Sequence, residues 1–120
     1  MKKLFVDDIR SAPDETWHIV RSVSAAISAI EMFDFEVIAL DHDISHQVIL
    51  GAMSRPYPCE ETFTAVAQYI ALKYKDAEKK PMILIHTANP SGALRIAGHL
   101  QGFETERVQQ NPANRLETIL

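Results

Sequence analysis

The most constraining feature of this sequence is a set of short apolar runs that end in acidic or imidazole side chains. Residues 3–7, 37–40 and 82–85 form such runs, which end at or just before Asp7, Asp41 and His86. Short runs without polar alternation are typical of strands buried on both faces of a parallel sheet. The sequence therefore predicts a sheet with several polar strand ends.

Helical spacing of apolar residues predicts three helices between and after these strands. The first follows Ser22 as its N-cap, and the second covers residues 60–74. The third opens at Asn89-Pro90, with Asn as the cap and Pro at the first helical position, and ends at Gly102. Two further strands are predicted, at residues 17–21 and, as a weak edge strand, at 104–109.

Strands that alternate with helices predict an α/β domain with a mostly parallel sheet of four or five strands. Only about eight residues separate the first two strands, too few for a crossover helix. Eight extended residues span roughly 26–29 Å, enough to recross a short strand. We therefore predict one flavodoxin-like, three-layer domain over residues 1–120 that lacks its first helix. A hairpin of the first two strands is the alternative, and the tail from residue 111 is unassigned.

Composition and charge restrict the class of partner. The formal net charge is −4, so there is no broad basic field for binding long nucleic acid, although a small phosphate group could bind locally. The single cysteine, Cys59, excludes an internal disulfide framework and a cysteine-rich zinc site. No segment approaches the roughly 18–20 apolar residues of a membrane span. The apolar run after the N-terminus is too short for a signal peptide, so we expect a cytoplasmic protein.

Polar side chains follow three of the predicted strands. The groups are Asp7 and Asp8, then Asp41, His42 and Asp43, and then His86, Thr87 and Asn89. Ligands of open parallel sheets bind outside the carboxyl ends of the strands, where these groups converge. Clustered acids repel one another and normally need a cation. We therefore expect a divalent metal whose ligands come from the set Asp7, Asp8, Asp41 and Asp43. Carboxylate ligands favour Mg²⁺ or Mn²⁺, and the nearby histidines also allow Zn²⁺ or Fe²⁺.

The histidines and an arginine near these acids have more than one interpretation. His86 is a candidate general acid or base, or a core histidine bonded to the backbone. For His42, a metal ligand, a catalyst and loop packing are equally supported. Arg10 either binds a phosphate bidentately or neutralises the acids. Asn89 and Ser91, at the start of the third helix, could help backbone N–H groups bind an anion.

The remaining chemistry-bearing residues carry no further support. His18, His46 and His99 are expected to be bystanders, and Cys59 a structural thiol. The other arginines considered are assigned to the surface: Arg21, Arg95, Arg107 and Arg115.

Three motifs resemble a known family when they are taken together. They are Leu4-Phe5-Val6-Asp7-Asp8-Ile9-Arg10 with a following proline, Leu40-Asp41-His42-Asp43, and Ile85-His86-Thr87-Ala88-Asn89-Pro90. In this order they resemble the cyclic-phosphate-processing receiver-like domains, a divergent branch of the response-regulator receiver fold. The resemblance runs over about 100 residues, from Lys3 to about Phe103.

The resemblance implies a small α/β domain that acts on cyclic phosphates, in connection with RNA-end processing. Asp7 and Asp8 match the metal-binding acid pair of receivers, and Asp41 matches their phospho-acceptor aspartate. His86 stands where receivers place Thr or Ser. The sequence departs from ordinary receivers because no lysine follows Lys80, which argues against a phosphorylation switch.

Three functional hypotheses follow. The first is a metal-dependent phosphoesterase that opens a cyclic phosphate on a nucleotide or an RNA end. Its catalytic candidates are Asp41, His86 and His42, and its phosphate-binding candidates are Arg10, Asn89 and Ser91. The alternative is a non-catalytic receiver-like module that binds metal and phosphate and signals to a partner. The third is a purely structural protein. The sequence does not indicate an oligomeric state.

Overall fold

The computed structural model describes residues 2–42, 62–87, 89–113 and 115–118. The elements in chain order are β1 (Lys3–Val6), β2 (Trp17–Val20), α1 (Val23–Met32), β3 (Val37–Leu40), α2 (Thr64–Lys73), β4 (Met82–Ile85), α3 (Pro90–His99), β5 (Thr105–Gln110) and β6 (Leu116–Thr118).

The strands form one mixed sheet with the order β2-β1-β3-β4-β5-β6. The first five strands in this order pair in parallel, and β6 pairs antiparallel with β5. Val6, Leu40 and Ile85 are register partners across β1, β3 and β4. These three central strands therefore end at the same level, and the residues that follow them start from one row.

The predicted α/β class and mostly parallel sheet are confirmed. β1 and β2 pair in parallel, so they do not form the alternative hairpin. Among the described residues the connection 7–16 contains no helix, in agreement with the predicted absence of the first helix.

The predicted strand count of four or five is wrong, because the sheet has six strands. The additional strand, β6, lies in the tail that the sequence left unassigned. Its turn depends on Asn111, whose Oδ1 accepts hydrogen bonds from the backbone N–H groups of Ala113 and Arg115, both at 2.9 Å. Since β6 pairs with β5, β5 is not the edge strand that the sequence predicted.

The three described helices contribute to a single core on one face of the sheet. Alternate residues of the strands point into this core, among them Leu4, Ile38 and Ile83. The opposite face carries a smaller cluster in which Phe5 and Ala39 pack with Ala12 of the connection 7–16. The described residues thus form two layers rather than the predicted three, because the short connection crosses the second face without a helix.

Side-chain caps set the starts of two helices where the sequence predicts them. Ser22 Oγ accepts a hydrogen bond from Ala25 N at 3.1 Å, and Asn89 Oδ1 accepts one from Gly92 N at 3.1 Å. The second helix begins at Thr64, later than the predicted residue 60.

No described helix is long and apolar enough to cross a membrane.

Candidate functional site

The level ends of the central strands place the candidate residues side by side. Asp41 N donates to Val6 O at 3.0 Å, and His86 N donates to Leu40 O at 3.1 Å. The parallel hydrogen-bond pattern therefore continues one residue beyond each strand. Asp41 and His86 are fixed by the sheet itself rather than by a free loop.

Three of the four predicted metal ligands come together at this edge. Asp7, Asp8 and Asp41 each offer one carboxylate oxygen, and these oxygens all lie within 4.8 Å of one another. All three side chains are buried, with exposed fractions of 0%, 8% and 6%. The fourth predicted ligand, Asp43, lies outside the described residues.

The two oxygens of Asp7 have different environments. Oδ1 accepts hydrogen bonds from the backbone N–H groups of Ile9, at 3.0 Å, and Arg10, at 2.9 Å. Oδ2 is buried and has no hydrogen-bond partner among the described residues. It lies 3.4 Å from His86 Nδ1 and 3.8 Å from Arg10 Nη1. One oxygen thus holds the loop, while the other is buried beside the neighbouring acids.

Burial and mutual repulsion disfavour ionised carboxylates in this cluster. The pKa of Asp41 is raised to about 7, first by burial and then by the negative charge of Asp7. The pKa of Asp7 is also raised, above all by burial. A cation placed among these oxygens would offset both effects.

His86 is a buried imidazole next to the acids. Its ring stacks on Phe5, with centroids 4.8 Å apart and 17° between the planes. Burial, followed by the positive charge of Arg10, lowers the pKa of His86 to about 4, so the ring is neutral near pH 7. Nearby carbonyls, those of Ala39 and Val6 among them, oppose this decrease. Neither ring nitrogen has a partner of hydrogen-bond geometry among the described residues.

His42 is buried against the start of α3. Its backbone N donates to Asp41 Oδ1 at 2.8 Å, and its backbone O accepts from Phe63 N at 2.8 Å. A Cβ built on Gly92 would lie 2.5 Å from His42 Cγ and Nδ1. The ring therefore packs directly on the backbone of α3, and only glycine at position 92 leaves room for it. The sequence reasoning missed this role of Gly92, which no local pattern indicates.

Arg10 links the first loop to the fourth strand. Its Nη1 donates to His86 O at 2.7 Å and lies 3.8 Å from Asp7 Oδ2. The contact with Asp7 is the neutralising role that the sequence allowed, and phosphate binding by Arg10 stays a prediction.

Arg21, which the sequence assigned to the surface, supports the same loop. Its Nη1 donates to Asp7 O at 3.2 Å and also to the carbonyl of Arg10.

The other predicted phosphate-binding residues lie at the start of α3. Asn89 Oδ1 caps this helix, and its backbone N donates to Thr87 Oγ1 at 3.1 Å. Ser91 is exposed in the first turn. Their phosphate-binding role stays a prediction.

Of the residues expected to be bystanders, His18 and His99 are exposed. His46 and Cys59 lie outside the described residues.

The fold and the site together define a receiver-type α/β domain with an acidic cluster at the carboxyl ends of its central strands. A family model described as the cyclic-phosphate processing receiver domain matches residues 2–102. The chain therefore belongs to the family of cyclic-phosphate processing receiver domains, which confirms the resemblance seen in the sequence. No curated protein and no solved structure matches the chain.

Proposed function

We propose that this protein is a metal-dependent phosphoesterase that opens a cyclic phosphate carried by a nucleotide or an RNA end. The observation that carries the proposal is the group of three buried carboxylates with oxygens within 4.8 Å, directly beside the buried His86. The family's description adds the substrate chemistry, since it names cyclic-phosphate processing.

The residues present fit a divalent cation. Asp7, Asp8 and Asp41 offer carboxylate oxygens, the donor type that Mg²⁺ and Mn²⁺ prefer, and His86 would add a nitrogen acceptable to Zn²⁺ or Fe²⁺. The buried Asp7 Oδ2, without a hydrogen bond to a described residue, is the atom that most needs such a partner. When bound, the cation would polarise the phosphate and lower the pKa of a water molecule.

His86 is our first candidate for proton transfer, because it is a neutral imidazole directly beside the acids. Its Nδ1 lies 3.4 Å from Asp7 Oδ2, and the negative charge of that carboxylate favours a proton on Nδ1. Nε2 then carries the lone pair and accepts the proton of the attacking water. The water oxygen bonds to phosphorus, the ring P–O bond breaks, and the leaving oxygen receives a proton from His86. His42 is the second candidate for this role.

Arg10 and Asp41 have roles that depend on the route taken. Arg10 stabilises the negative charge that develops on the phosphate. Asp41 either helps to hold the cation or attacks phosphorus itself. In the second route the ring P–O bond breaks, the leaving oxygen takes a proton from His86, and water then hydrolyses the aspartyl-phosphate. Acid quenching followed by mass spectrometry of the protein distinguishes the two routes, because only attack by Asp41 leaves the opened substrate covalently bound to the chain.

The test of the proposal is ³¹P NMR of adenosine 2′,3′-cyclic phosphate with Mg²⁺, Mn²⁺ or EDTA. We expect ring opening with metal and none with EDTA. Asp41→Asn and His86→Asn should each lower the rate at least about 100-fold, as expected when an acid–base or electrostatic group is lost. Asp76→Asn, which replaces an exposed carboxylate in the turn after α2, is the matched control and should retain the rate.

Two results would contradict the proposal. Turnover that is equal in EDTA and in metal would refute the role of the cation. Absence of turnover with several cyclic phosphates, while metal binding is retained, would favour the alternative of a receiver-like module that binds metal and phosphate without catalysis. A stable mass increase after treatment with a small phosphodonor, abolished by Asp41→Asn, would support that alternative further.

A further inference from the structure

A cavity of about 420 Å³ opens beside His86. Its lining includes Arg10, His86, Thr87, Arg107, Gln109 and Gln110. The volume lies in the range of about 300–1,000 Å³ that is typical of small-molecule sites. None of the three clustered acids belongs to the lining. The cavity is thus a neighbour of the acidic cluster and not a part of it.

The cavity is positively charged in a chain whose formal net charge is −4. The described residues that line it include three ionisable ones, Arg10, Arg107 and His86, and none of these is a carboxylate. The two guanidinium groups, of Arg10 and Arg107, carry permanent positive charge. A concave site of one sign attracts ligands of the opposite charge.

Among the described residues, Arg107 has no hydrogen-bond or ion-pair partner that would explain its position. It is half-buried on β5, where it is the register partner of Ile85. Its Nε is buried and has no hydrogen-bond partner among the described residues, and it forms no ion pair with a described carboxylate. Partial burial of an unpaired cation is costly, and a phosphate presents oxygens that a planar guanidinium binds bidentately.

Arg10 stands between the cavity and the acidic cluster. It lines the cavity, and its Nη1 also lies 3.8 Å from Asp7 Oδ2. A ligand with one phosphate at the acids therefore meets Arg10 on the way to Arg107. A neutral base or sugar would leave the Arg107 guanidinium without an anion among the described residues.

We propose that Arg107, together with Arg10, binds a second phosphate of the substrate, one that is not part of the ring that is opened. The proposal rests on the proposed function, because it takes the ring phosphate to be the group at the acidic cluster. The second phosphate is either a 5′-monophosphate or the phosphodiester that joins a terminal nucleotide to a longer chain.

The first test measures binding without turnover. Adenosine 5′-monophosphate is titrated into the protein by calorimetry in EDTA, with adenosine as the reference ligand. We expect Arg107→Gln to weaken the binding of adenosine 5′-monophosphate at least tenfold, and Arg107→Lys to weaken this binding less. Arg95→Gln, which removes an exposed arginine of α3, should leave its affinity unchanged. Equal affinity in wild type and Arg107→Gln, with both folded by circular dichroism, would overturn the proposal.

The second test compares three substrates: adenosine 2′,3′-cyclic phosphate, the same compound with a 5′-phosphate, and a dinucleotide that ends in a 2′,3′-cyclic phosphate. We expect the second phosphate to raise kcat/KM through a lower KM. Arg107→Gln should reduce that advantage at least tenfold, whereas Arg95→Gln should preserve it. The better of the two phosphorylated substrates identifies the monoester or the diester as the source.

Failure of this proposal and failure of the proposed function give different results. If Arg107→Gln affects all three substrates equally, Arg107 acts on the ring phosphate or on the fold, and the second-phosphate site is refuted. If no substrate is turned over, the phosphoesterase function is refuted, and the calorimetric comparison alone decides whether Arg107 binds a phosphate.

Discussion

Replacing Asp41 with asparagine should stabilise the metal-free protein at neutral and alkaline pH. The pKa of Asp41 is about 7 in the folded chain, against 3.8 for an ordinary aspartate, because the group is buried and faces the charge of Asp7. A difference of about three units corresponds to about 4 kcal/mol of lost stability when Asp41 is ionised. Asparagine removes the charge and retains an oxygen for the hydrogen bond from His42 N.

The sign of the pH dependence follows from where the proton is bound. Below about pH 3, Asp41 is mostly protonated in the folded and the unfolded chain, and its ionisation costs little. Between about pH 4 and pH 7 the folded chain keeps a proton that the unfolded chain has released. The contribution of Asp41 therefore lowers wild-type stability as pH rises through this window, and the full loss is present above about pH 7.

The assay is urea unfolding in EDTA at several pH values between 4.5 and 8.5. We expect the stability difference between Asp41→Asn and wild type to grow with pH and to level off at up to about 4 kcal/mol. Asp76→Asn, an exposed control, should show no such gain. A variant less stable than wild type at pH 8, or a difference that does not change with pH, would refute the reasoning.

Three further predictions concern the stability of the metal-free protein. Because the pKa of His86 is about 4 against 6.5 in the unfolded chain, the contribution of His86 should lower wild-type stability by about 3 kcal/mol as pH falls from 6.5 to 4, against the opposite contribution of Asp41. His86→Asn should lack this loss in urea unfolding, and an unchanged acid slope would contradict the assignment. Gly92→Ala forces the His42 ring to move and should lower the free energy of unfolding by about 1–3 kcal/mol. Gly98 lies on the same helix, and a Cβ there meets open space, so Gly98→Ala should raise the free energy of unfolding by about 0.5–1 kcal/mol. Equal shifts in thermal unfolding would refute this contrast. Asn89→Ala should cost about 1 kcal/mol by removing the cap of α3, and Asn89→Asp should retain it; similar losses in both would refute the capping role.

The convergence of the candidate site was predictable from the sequence because it depends on local patterns. Apolar runs predict the central strands, and each run is followed by an acid or an imidazole at Asp7, Asp41 and His86. Parallel pairing then brings these ends to one edge without any knowledge of side-chain contacts. The caps Ser22 and Asn89 were predictable for the same reason, since a cap acts within its own helix turn.

Features that depend on distant contacts were not predictable. Gly92 meets His42 across a long stretch of chain, and nothing near either residue indicates the contact. Arg21 is exposed, as the sequence predicts, but its hydrogen bond to the carbonyl of Asp7 depends on the fold. Arg107 was also assigned to the surface, and the structure instead places it half-buried at the cavity beside His86.

The sixth strand was missed for a related reason. The sequence of the tail shows only a short run of weak strand formers after Asn111, and it is pairing with β5 that makes them a strand. The flavodoxin-like pattern predicts helices on both faces of the sheet, and therefore a third layer. The described residues place all three helices on one face.

The central claim is that Asp7, Asp8 and Asp41 form one divalent metal site, and calorimetric titration of Mn²⁺ at about pH 7 tests it most directly. We expect one ion per chain, with protons released because the pKa of Asp41 lies near this pH. Asp7→Asn should weaken binding at least tenfold, and Asp76→Asn should leave it unchanged. Mn²⁺ affinity that is equal in these two variants, or no binding by wild type at millimolar Mn²⁺, would contradict the account.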